Sequence, residues 1–409
     1  MLKIRDVRSI LTAPENIPLV IVKVETSDPD IYGVGCATFA WRAFAVASAV
    51  EDYLKPLLIG KNADDIEDIY QMSHISSYWR NGPVLNNAIS GVDQALWDIK
   101  GKQAGMPVYQ LLGGKCREAA AVYVHASGAS PEEVEEKVLA FMDDGFHYNR
   151  VQIGIPGYSA YGVKEQLVGK SSRTGPKVIT DYKEVFEPMP YVRRTIDLFE
   201  HLRTKLGFEV ELLHDVHERI PPVVAMDLAK ELECYKLFFL EDLFAPEDID
   251  YFKLIRNQCS VPMAMGELFN NPHEYIDLIK ERLIDFIRVH ISQIGGLSMA
   301  RKLATLCEFF GVRTAWHGPG DTSPVGHAAN LMLDLACHNF GIQEYTFFGD
   351  NSKAVFPGCP EVRDGYMWSN DEPGLGIDID EKLASKFPIP RDRIFYSIVR
   401  GADGTVIRP

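Results

Sequence analysis

The sequence lacks the long apolar runs that anchor a protein in a membrane. No stretch approaches the roughly 18 apolar residues of a membrane-spanning helix. The first six residues, MLKIRD, carry charges where a secretory signal peptide has its apolar core. We therefore expect a cytoplasmic, soluble protein with no membrane partner.

Paired cysteine motifs are also missing. The seven cysteines are odd in number and form no CxxC motif, and several lie in apolar runs, such as Cys307 beside Leu306. This pattern is typical of free thiols in a reducing compartment. We expect most of these thiols to be buried.

Positive charge is scarce. Lys and Arg together number 42 against 57 Asp and Glu, which gives a formal net charge of −15. Such a charge repels phosphate backbones and anionic lipids at long range. Nucleic acid is therefore excluded as an expected partner.

Three common catalytic motifs do not occur. The sequence has no GxGxxG after a first strand, no Walker motif and no Ser nucleophile elbow. Dinucleotide redox chemistry, ATP hydrolysis and acyl transfer therefore have no support.

What is present is an ordinary globular composition in a long chain. The 409 residues are 46% hydrophobic and 24% charged, which is enough to build a sizeable core. At about 150 residues per domain, the length predicts two or three domains, or one large barrel with an appendage.

The first part of the chain, 1–115, is predicted to be an α+β domain. Leu19 to Val24 forms a clear strand pattern, and the sequence becomes helical from about Ala43. Residues 90–102 carry apolar side chains at positions 92, 95, 96 and 99, which is helical spacing.

Residues 116–345 alternate short apolar strands with amphipathic helices. We place eight strands at about 121–125, 148–153, 209–215, 237–241, 261–267, 286–291, 312–317 and 341–345. Eight βα units over about 230 residues match a closed (β/α)8-type barrel. The predicted fold is thus α/β, a barrel with an N-terminal capping domain that the C-terminal tail, 346–409, completes by packing back on it.

One connection is longer than the rest. The stretch 154–188 far exceeds the 2–6 residues usual for a βα loop. It is either a tolerated surface insertion or a lid over the carboxyl-terminal mouth of the barrel, where barrel active sites lie.

Three carboxylates follow a regular spacing. Asp215, Glu241 and Glu267 each end a predicted strand and are 26 residues apart. A single acid at a strand end is usually a helix cap or a solvated residue, but three at one barrel rim would repel each other unless a cation compensated them. Hard oxygen ligands favour Mg²⁺, so these three residues are the predicted metal site.

Further polar residues lie near other predicted strand ends. Each alone would usually be structural, but their number favours a shared site; they are His125, Arg150, His217, Arg288, His317 and Glu344. His217 is two residues beyond Asp215 and would share its face if that strand continued. His214 and His290 are predicted to lie in the barrel wall, and Gly295-Gly296 to start a helix, without chemical roles.

These features together resemble the enolase superfamily. The resemblance covers nearly the whole chain and includes the phrase SGVDQALWDI at 90–99 and the metal trio. More narrowly, the chain resembles the mannonate dehydratase branch, whose members are often labelled D-galactonate dehydratase family or starvation-sensing proteins. The matching motifs are Arg150-Val151-Gln152, Tyr161-Gly162-Val163, His214-Asp215-Val216-His217-Glu218-Arg219 and His317-Gly318-Pro319-Gly320-Asp321.

The resemblance implies a lyase that dehydrates acid sugars to 2-keto-3-deoxy acids with Mg²⁺. Tyr161 matches the base that removes the C2 proton; its reference pKa is near 10, and the cation of Arg150 is expected to lower that pKa. His217 matches the acid that expels the 3-hydroxyl group. The implied substrate contacts are His125, Arg288, His317, Asp321 and Glu344.

The chain differs from other branches and from active mannonate dehydratases. Superfamily racemases use paired lysines on the second strand, where this chain has Arg150 and Gln152, so racemisation is disfavoured. Active mannonate dehydratases tend to carry Asn where this chain has Ala40, and their tail near the active site contains an aromatic residue that 404–409 lacks. Pro319 is expected to alter the loop after the seventh strand.

Three functions remain open at this point: an acid-sugar dehydratase, a divergent member without useful turnover of mannonate or gluconate, and a non-catalytic acid-sugar sensor. We also expect a homo-oligomer, since closed symmetric assemblies are common.

Overall fold

A computed structural model describes residues 2–154, 186–391, 399–401 and 404–408. The chain divides into two compact units. The first comprises Met1–Ala121, Glu267–Asp277 and Arg288–Pro390, and the second comprises Val122–Gly266, Leu278–Ile287 and Arg391–Pro409. Each unit therefore combines stretches that are far apart in the sequence.

Three strands and then a run of helices come first, and in the described part of residues 120–344 strands and helices alternate. The strands are β1 (Ile4–Thr12), β2 (Leu19–Thr26), β3 (Tyr32–Cys36), β4 (Ala120–Gly128), β5 (Tyr148–Ile153), β6 (Glu211–Asp215), β7 (Phe239–Glu241), β8 (Met263–Met265), β9 (Phe286–Ile287), β10 (Arg313–Thr314), β11 (Gln343–Glu344), β12 (Glu361–Arg363), β13 (Tyr366–Trp368), β14 (Val399–Arg400) and β15 (Val406–Ile407). The α-helices are α1 (Ala43–Ser48), α2 (Lys55–Leu58), α3 (Ile66–Ile75), α4 (Pro83–Ala104), α5 (Val108–Leu111), α6 (Pro131–Asp143), α7 (Pro188–Leu206), α8 (Pro222–Leu232), α9 (Tyr251–Ile255), α10 (Pro272–Lys280), α11 (Leu297–Phe310), α12 (Pro324–Ala336), α13 (Asp350–Val355) and α14 (Glu381–Ala384).

The first unit begins with a three-stranded antiparallel sheet in the order β1-β2-β3. The register pairs Ile10 with Ile21. Strand β2 is rich in Val and Ile, residue types that suit a pleated, buried surface. The predicted strand over 19–24 and the predicted start of helical structure at Ala43 are confirmed.

Helix α4 lies against β3 at a separation that requires glycine. A Cβ atom on Gly33 would come within 2.0 Å of the Ala95 carbonyl oxygen, and one on Gly35 within 2.0 Å of the Gly91 oxygen. The apolar residues at helical spacing on α4 are all buried: Val92, Ala95, Leu96 and Ile99. This face of the helix therefore forms much of the core of the N-terminal domain, as its spacing predicts.

Residues near the carboxyl terminus return to the N-terminal sheet. The hydroxyl of Thr12 donates to the Ala384 carbonyl oxygen at 3.0 Å. The Glu381 carboxylate accepts hydrogen bonds from Arg8 at 2.6 and 2.7 Å and from Lys23 at 2.8 Å. The predicted packing of the tail on the N-terminal domain is thus confirmed for this stretch, whereas β14 and β15 pair with each other in the second unit.

Six parallel strands form the sheet of the second unit. Strands β4 to β9 lie side by side in sequence order. Parallel neighbours need crossover connections, and helices α6 to α9 supply them between β4 and β8. The register pairs Arg150 with Leu213 and Asp215 with Glu241. The carboxyl ends of these strands therefore meet at one edge.

Three later strand segments lie side by side in the first unit. The backbone N–H of His317 donates to the Val289 oxygen at 3.1 Å, and that of Gly341 donates to the Thr314 oxygen at 2.9 Å. The residues at the carboxyl ends of these segments are consequently neighbours.

Several strands are shorter than the sequence predicts. Strand β9 ends at Ile287 rather than 291, and β10 covers only Arg313–Thr314 of the predicted 312–317. The predicted strands were longer because an apolar run in the sequence indicates a buried segment but not the residues that form β-sheet hydrogen bonds. Beyond these short ladders the chain stays buried but makes only isolated backbone hydrogen bonds.

The cysteines are free, but the expectation that most are buried is wrong. Cys36, Cys259 and Cys307 are buried, Cys337 and Cys359 are intermediate, and Cys116 and Cys234 are exposed. Cys116 lies in a surface bend and Cys234 in a short 3₁₀ helix, Glu233–Tyr235, where apolar neighbours in sequence do not ensure burial. The predicted insertion or lid at 154–188 falls mostly on 155–185, which lies outside the described residues. None of the helices in the described ranges has the length and hydropathy of a membrane span.

The buried carboxylate of Asp98 offers a test of the N-terminal packing. It accepts hydrogen bonds from the backbone N–H groups of Leu375 at 2.8 Å and Val34 at 3.0 Å, and from Lys102 at 2.7 Å. Asp98→Ala leaves these donors unpaired, so we expect the free energy of unfolding to fall by about 3 kcal/mol. Urea denaturation measures the change, and Asp30→Ala, at an exposed position, should match the wild type. An equal midpoint for both variants would contradict this account.

Candidate metal centre and active site

Three neighbouring strands of the second unit each carry a charged side chain. Arg150 lies in the middle of β5, Asp215 ends β6 and Glu241 ends β7. The two carboxylate side chains are 0% exposed and Arg150 is 5% exposed. The edge of the sheet thus holds two buried negative charges and one positive charge.

The guanidinium of Arg150 links the two carboxylates. Its Nη1 lies 3.0 Å from Glu241 Oε1 and 3.3 Å from Asp215 Oδ2. The hydroxyl of Tyr123 donates to Glu241 Oε2 at 3.4 Å. Buried carboxylates this close would repel each other without a compensating cation. Among the described residues, Arg150 sets one positive charge against these two negative ones, which leaves this edge with a negative excess.

This negative excess suits a divalent cation. Neither carboxylate oxygen of Asp215 accepts a hydrogen bond from the described residues, although both oxygens are buried. One oxygen each from Asp215, Glu241 and Asp242 lie within 4.8 Å of one another. Grouped carboxylate oxygens are the ligands that Mg²⁺ prefers. The residues at this edge therefore fit a magnesium ion.

His217 lies beside Asp215 by a route that the sequence did not predict. The prediction assumed a strand that continued to residue 217, but β6 ends at Asp215. His217 instead has a left-handed φ of 53°. One of its ring nitrogens is within 4.8 Å of an Asp215 carboxylate oxygen. A tight turn, rather than strand alternation, brings the imidazole to the carboxylate.

His214 is fixed in the wall of the second unit, as the sequence predicts. Its Nδ1–H donates to the Val151 oxygen at 2.8 Å, which leaves Nε2 to accept from the Tyr191 hydroxyl at 2.7 Å. Burial lowers the pKa of His214 to about 4. The imidazole is therefore neutral at pH 7 and has both nitrogens in use.

The first unit has its own group of charges at the carboxyl ends of its strand segments. Arg288 donates to Glu267 Oε2 at 2.7 Å and also to Glu344 Oε2. The Nδ1 of His317 lies 3.2 Å from Glu267 Oε2 and 3.4 Å from Glu344 Oε2. The Gly318 backbone N–H donates to Glu344 at 2.9 Å. Four residues predicted from the sequence therefore form one polar cluster within this unit.

Asp321 lies next to this cluster. Its Oδ1 is 3.9 Å from His317 Nε2. Burial raises the pKa of Asp321, and the nearby His317 partly opposes that effect. Behind them, His290 accepts from the Ser292 N–H at 3.1 Å and contacts the Thr322 hydroxyl at 3.1 Å. Both ring nitrogens of His290 are engaged, in keeping with its predicted structural role.

The structure places one further predicted residue and does not describe another. His125 lies in β4, with its ring centroid 5.8 Å from that of Tyr123, whose hydroxyl contacts Glu241. Tyr161 lies outside the described residues.

The sequence analysis missed Asp242 and Tyr123. Strand alternation would point Asp242 away from Glu241, but Asp242 has a left-handed φ of 41° and its carboxylate turns back toward the group. The two adjacent acids at the end of β7, Glu241 and Asp242, could have identified Asp242 from the sequence. Tyr123 is two residues before His125 on the same strand, so the face shared with His125 could have identified it.

Comparison with known families identifies the superfamily of this chain. Residues 3–113 match the family model described as mandelate racemase / muconate lactonizing enzyme, N-terminal domain, and residues 135–383 match the model described as enolase C-terminal domain-like. The chain belongs to the enolase superfamily.

Within that superfamily, it belongs to the D-galactonate dehydratase family. It is 54% identical over 413 residues to the D-galactonate dehydratase family member RspA of Pantoea ananatis (strain LMG 20103), with 99% of each chain covered. It is 53% identical over 414 residues to the family member SEN1436 of Salmonella enteritidis PT4 (strain P125109), which covers 100% of this chain and 99% of the relative.

Solved structures of this superfamily share the fold. The crystal structure of an enolase from Pantoea ananatis, with bound D-gluconate and Mg, has a TM-score of 0.92 at 53% identity, with 100% of both chains covered. A putative galactarate dehydratase from Agrobacterium radiobacter, bound to Na and L-malate, has a TM-score of 0.82 at 26% identity over the full length of both chains. The predicted α/β class, with a capping domain and a barrel-type domain, is thereby confirmed.

The shared guanidinium offers a test of the charge balance at the β5–β7 edge. Arg150→Met leaves Asp215 and Glu241 without their positive partner, so we expect the metal-free protein to lose about 3 kcal/mol of stability. Mg²⁺ should restore more stability to this variant than it adds to the wild type, because the cation replaces the lost charge. Thermal unfolding with EDTA and with Mg²⁺ measures both effects.

A matched control is Arg256→Met in the same unit. Arg256 pairs with Asp285 at 2.6 Å on the surface, with side chains 22% and 36% exposed. Loss of such a pair costs about 1 kcal/mol or less and should not change the response to Mg²⁺. If Mg²⁺ stabilised Arg150→Met no more than this control, the charge balance described here would be wrong.

Proposed function

We propose that this protein is a Mg²⁺-dependent dehydratase of acid sugars that yields 2-keto-3-deoxy acids. The observation that carries this proposal is the pair of buried carboxylates, Asp215 and Glu241, which share the Arg150 guanidinium. A 53% identical relative that holds D-gluconate and Mg supports the choice of metal and substrate class.

The proposed metal ligands are Asp215, Glu241 and Glu267. The equal spacing of 26 residues supports them, as does the position of Glu267 two residues beyond the end of β8, the strand paired with β7. Magnesium bound there would stabilise the negative charge that develops next to the substrate carboxylate as the C2 proton leaves.

The proposed base is Tyr161 and the proposed acid is His217. The C2–H bond breaks as its proton moves to the Tyr161 oxygen. The C3–O bond breaks as His217 donates a proton, so the 3-hydroxyl group leaves as water and the enol product becomes the 2-keto acid. The position of His217 beside Asp215 supports its role, since an acid must lie within reach of the group it protonates.

Arg150 is proposed to have two roles, one toward the two carboxylates and one toward the base. Its contacts with Asp215 and Glu241 hold both side chains in place at the strand edge. Its positive charge also favours a deprotonated Tyr161, as the family resemblance implies.

The proposed substrate contacts combine one cation with hydrogen-bonding groups. Arg288 supplies positive charge beside Glu344, His317 supplies an imidazole beside the same carboxylate, and Asp321 adds a further acceptor. Such a cluster suits the row of hydroxyl groups on an acid sugar. His125 completes the proposed set from β4.

A second candidate is a divergent member that keeps this machinery but does not turn over mannonate or gluconate usefully. Ala40 favours it: this residue is 6% exposed, starts a short 3₁₀ turn and has no polar group to offer a sugar hydroxyl. A mannonate kcat/KM of about 10⁴ M⁻¹s⁻¹ or more, common among dedicated enzymes, would exclude this candidate. Tight binding of an acid sugar that is never consumed would favour the third possibility, a sensor. A cytoplasmic location and a homo-oligomeric assembly stay predictions from the sequence.

Because the base and the acid have separate roles, we expect their variants to affect product formation and deuterium exchange at C2 differently. The Mg²⁺-loaded protein is screened against aldonic and uronic acids, with semicarbazide detection of 2-keto products and with solvent deuterium exchange at C2. For an acid that the wild type converts, His217→Asn should lower product formation by about 10²-fold or more but retain exchange at C2. Tyr161→Phe should abolish both.

His201→Asn provides the matched histidine control. His201 lies on α7 and pairs with Glu135 at 2.6 Å, away from the strand edge that carries Asp215. It should behave as the wild type in both readouts. Absence of both product and exchange across the whole panel would refute the dehydratase, and loss of exchange in His217→Asn would refute the assignment of His217 as acid only.

A further inference from the structure

Asp242 lies where three strand ends of the second unit converge. It directly follows the proposed ligand Glu241 and is 3% exposed. Its backbone has a left-handed φ of 41°, a conformation that non-glycine residues adopt rarely and that Asp and Asn tolerate best. Such a conformation persists where surrounding bonds hold it in place, and it occurs most often at functional sites.

The backbone of Asp242 connects two neighbouring strands to β7. Its N–H donates to the Ala264 oxygen in β8 at 2.9 Å. Its carbonyl oxygen accepts from the Glu218 N–H at 2.8 Å, in the loop after β6. Glu218 directly follows the proposed acid His217. One residue therefore fixes the turn that carries the acid and the start of the turn after β7.

The side chain of Asp242 makes the third connection. Its Oδ1 accepts from the backbone N–H of Gly266 at 3.0 Å. Gly266 has a φ of 140°, in the region that favours glycine, and it directly precedes Glu267. The carboxylate therefore holds the turn from which the third proposed ligand extends.

We propose that Asp242 is a positioning residue of the metal centre, which holds the turns after β6, β7 and β8 in one arrangement through three hydrogen bonds. This inference rests on the proposed function, because the turns in question carry His217, Glu241 and Glu267. One oxygen of Asp242 lies within 4.8 Å of oxygens of Asp215 and Glu241. Its Oδ1 is engaged by the Gly266 N–H, so Asp242 acts through the neighbouring backbone rather than as one of the three proposed ligands.

Two variants distinguish the hydrogen bond that Asp242 accepts from the negative charge that it carries. Asp242→Asn keeps an acceptor oxygen for Gly266 and tolerates the left-handed backbone. Asp242→Gly removes the acceptor, yet glycine adopts this φ readily, so the fold should survive. We expect the Mg²⁺ affinity to fall about 10- to 100-fold in Asp242→Gly, the range seen when groups that orient metal ligands are lost. Asp242→Asn should stay within about threefold of the wild type.

A second readout needs no metal. Hydrogen–deuterium exchange in EDTA follows the backbone amide of Gly266 directly. We expect this amide to exchange about tenfold or more faster in Asp242→Gly and at the wild-type rate in Asp242→Asn. A residue that only supported the fold would change the two variants' melting temperatures without this selective effect on Gly266.

The experiment combines calorimetric titration of the full chain with MgCl₂ and exchange at Gly266. The control variant is Asp227→Asn, at an exposed position on α8. It should match the wild type in both readouts. Equal losses of affinity in Asp242→Asn and Asp242→Gly would overturn the proposal, since the charge would then matter and Asp242 would be a ligand.

Wild-type affinity in Asp242→Gly would also overturn the proposal. If the wild type itself binds no Mg²⁺, the proposed function is wrong. The role of Asp242 in holding the β8 turn would then stand only if the Gly266 amide exchanged faster in Asp242→Gly than in Asp242→Asn. Equal exchange in the two variants would overturn that role as well.

Discussion

One guanidinium shared by two buried carboxylates is the constraint on which the rest of this structure depends. Asp215 and Glu241 are both withdrawn from water, and Arg150 offsets only one of their charges. Buried groups of like charge are stable only with partners of the opposite sign. The surrounding structure therefore favours a bound cation, because neither carboxylate oxygen of Asp215 accepts a hydrogen bond from the described residues.

The parallel strands place the charged side chains at one edge of the sheet. Parallel pairing sets Asp215 beside Glu241, and tight left-handed turns just beyond both strands bring His217 and Asp242 to the same edge. The first unit provides its own cluster of Arg288, His317 and acidic partners. Most of the proposed site residues in the described ranges thus lie at or just beyond the carboxyl ends of strand segments, as is usual in barrel enzymes.

The sequence predicted the parts of this arrangement that depend on periodicity. Alternating strands and helices gave the α/β class, and apolar spacing located α4 and its buried face. The left-handed turns at His217 and Asp242 could not be predicted, because neither position is glycine and strand alternation pointed elsewhere. Contacts between distant residues, such as Asp98 with Leu375 or Arg150 with Glu241, depend on tertiary packing that a single sequence does not encode locally.

The central proposal is that the buried carboxylates hold a divalent cation that engages the carboxylate end of an acid sugar. Mn²⁺ shares the preference of Mg²⁺ for oxygen ligands and is paramagnetic. We would load the protein with Mn²⁺ and measure the relaxation of each carbon of uniformly ¹³C-labelled D-gluconate by NMR. The account predicts the strongest relaxation at the carboxylate carbon C1 and a steady decrease toward C6. Equal relaxation along the whole sugar, or none at all, would contradict it.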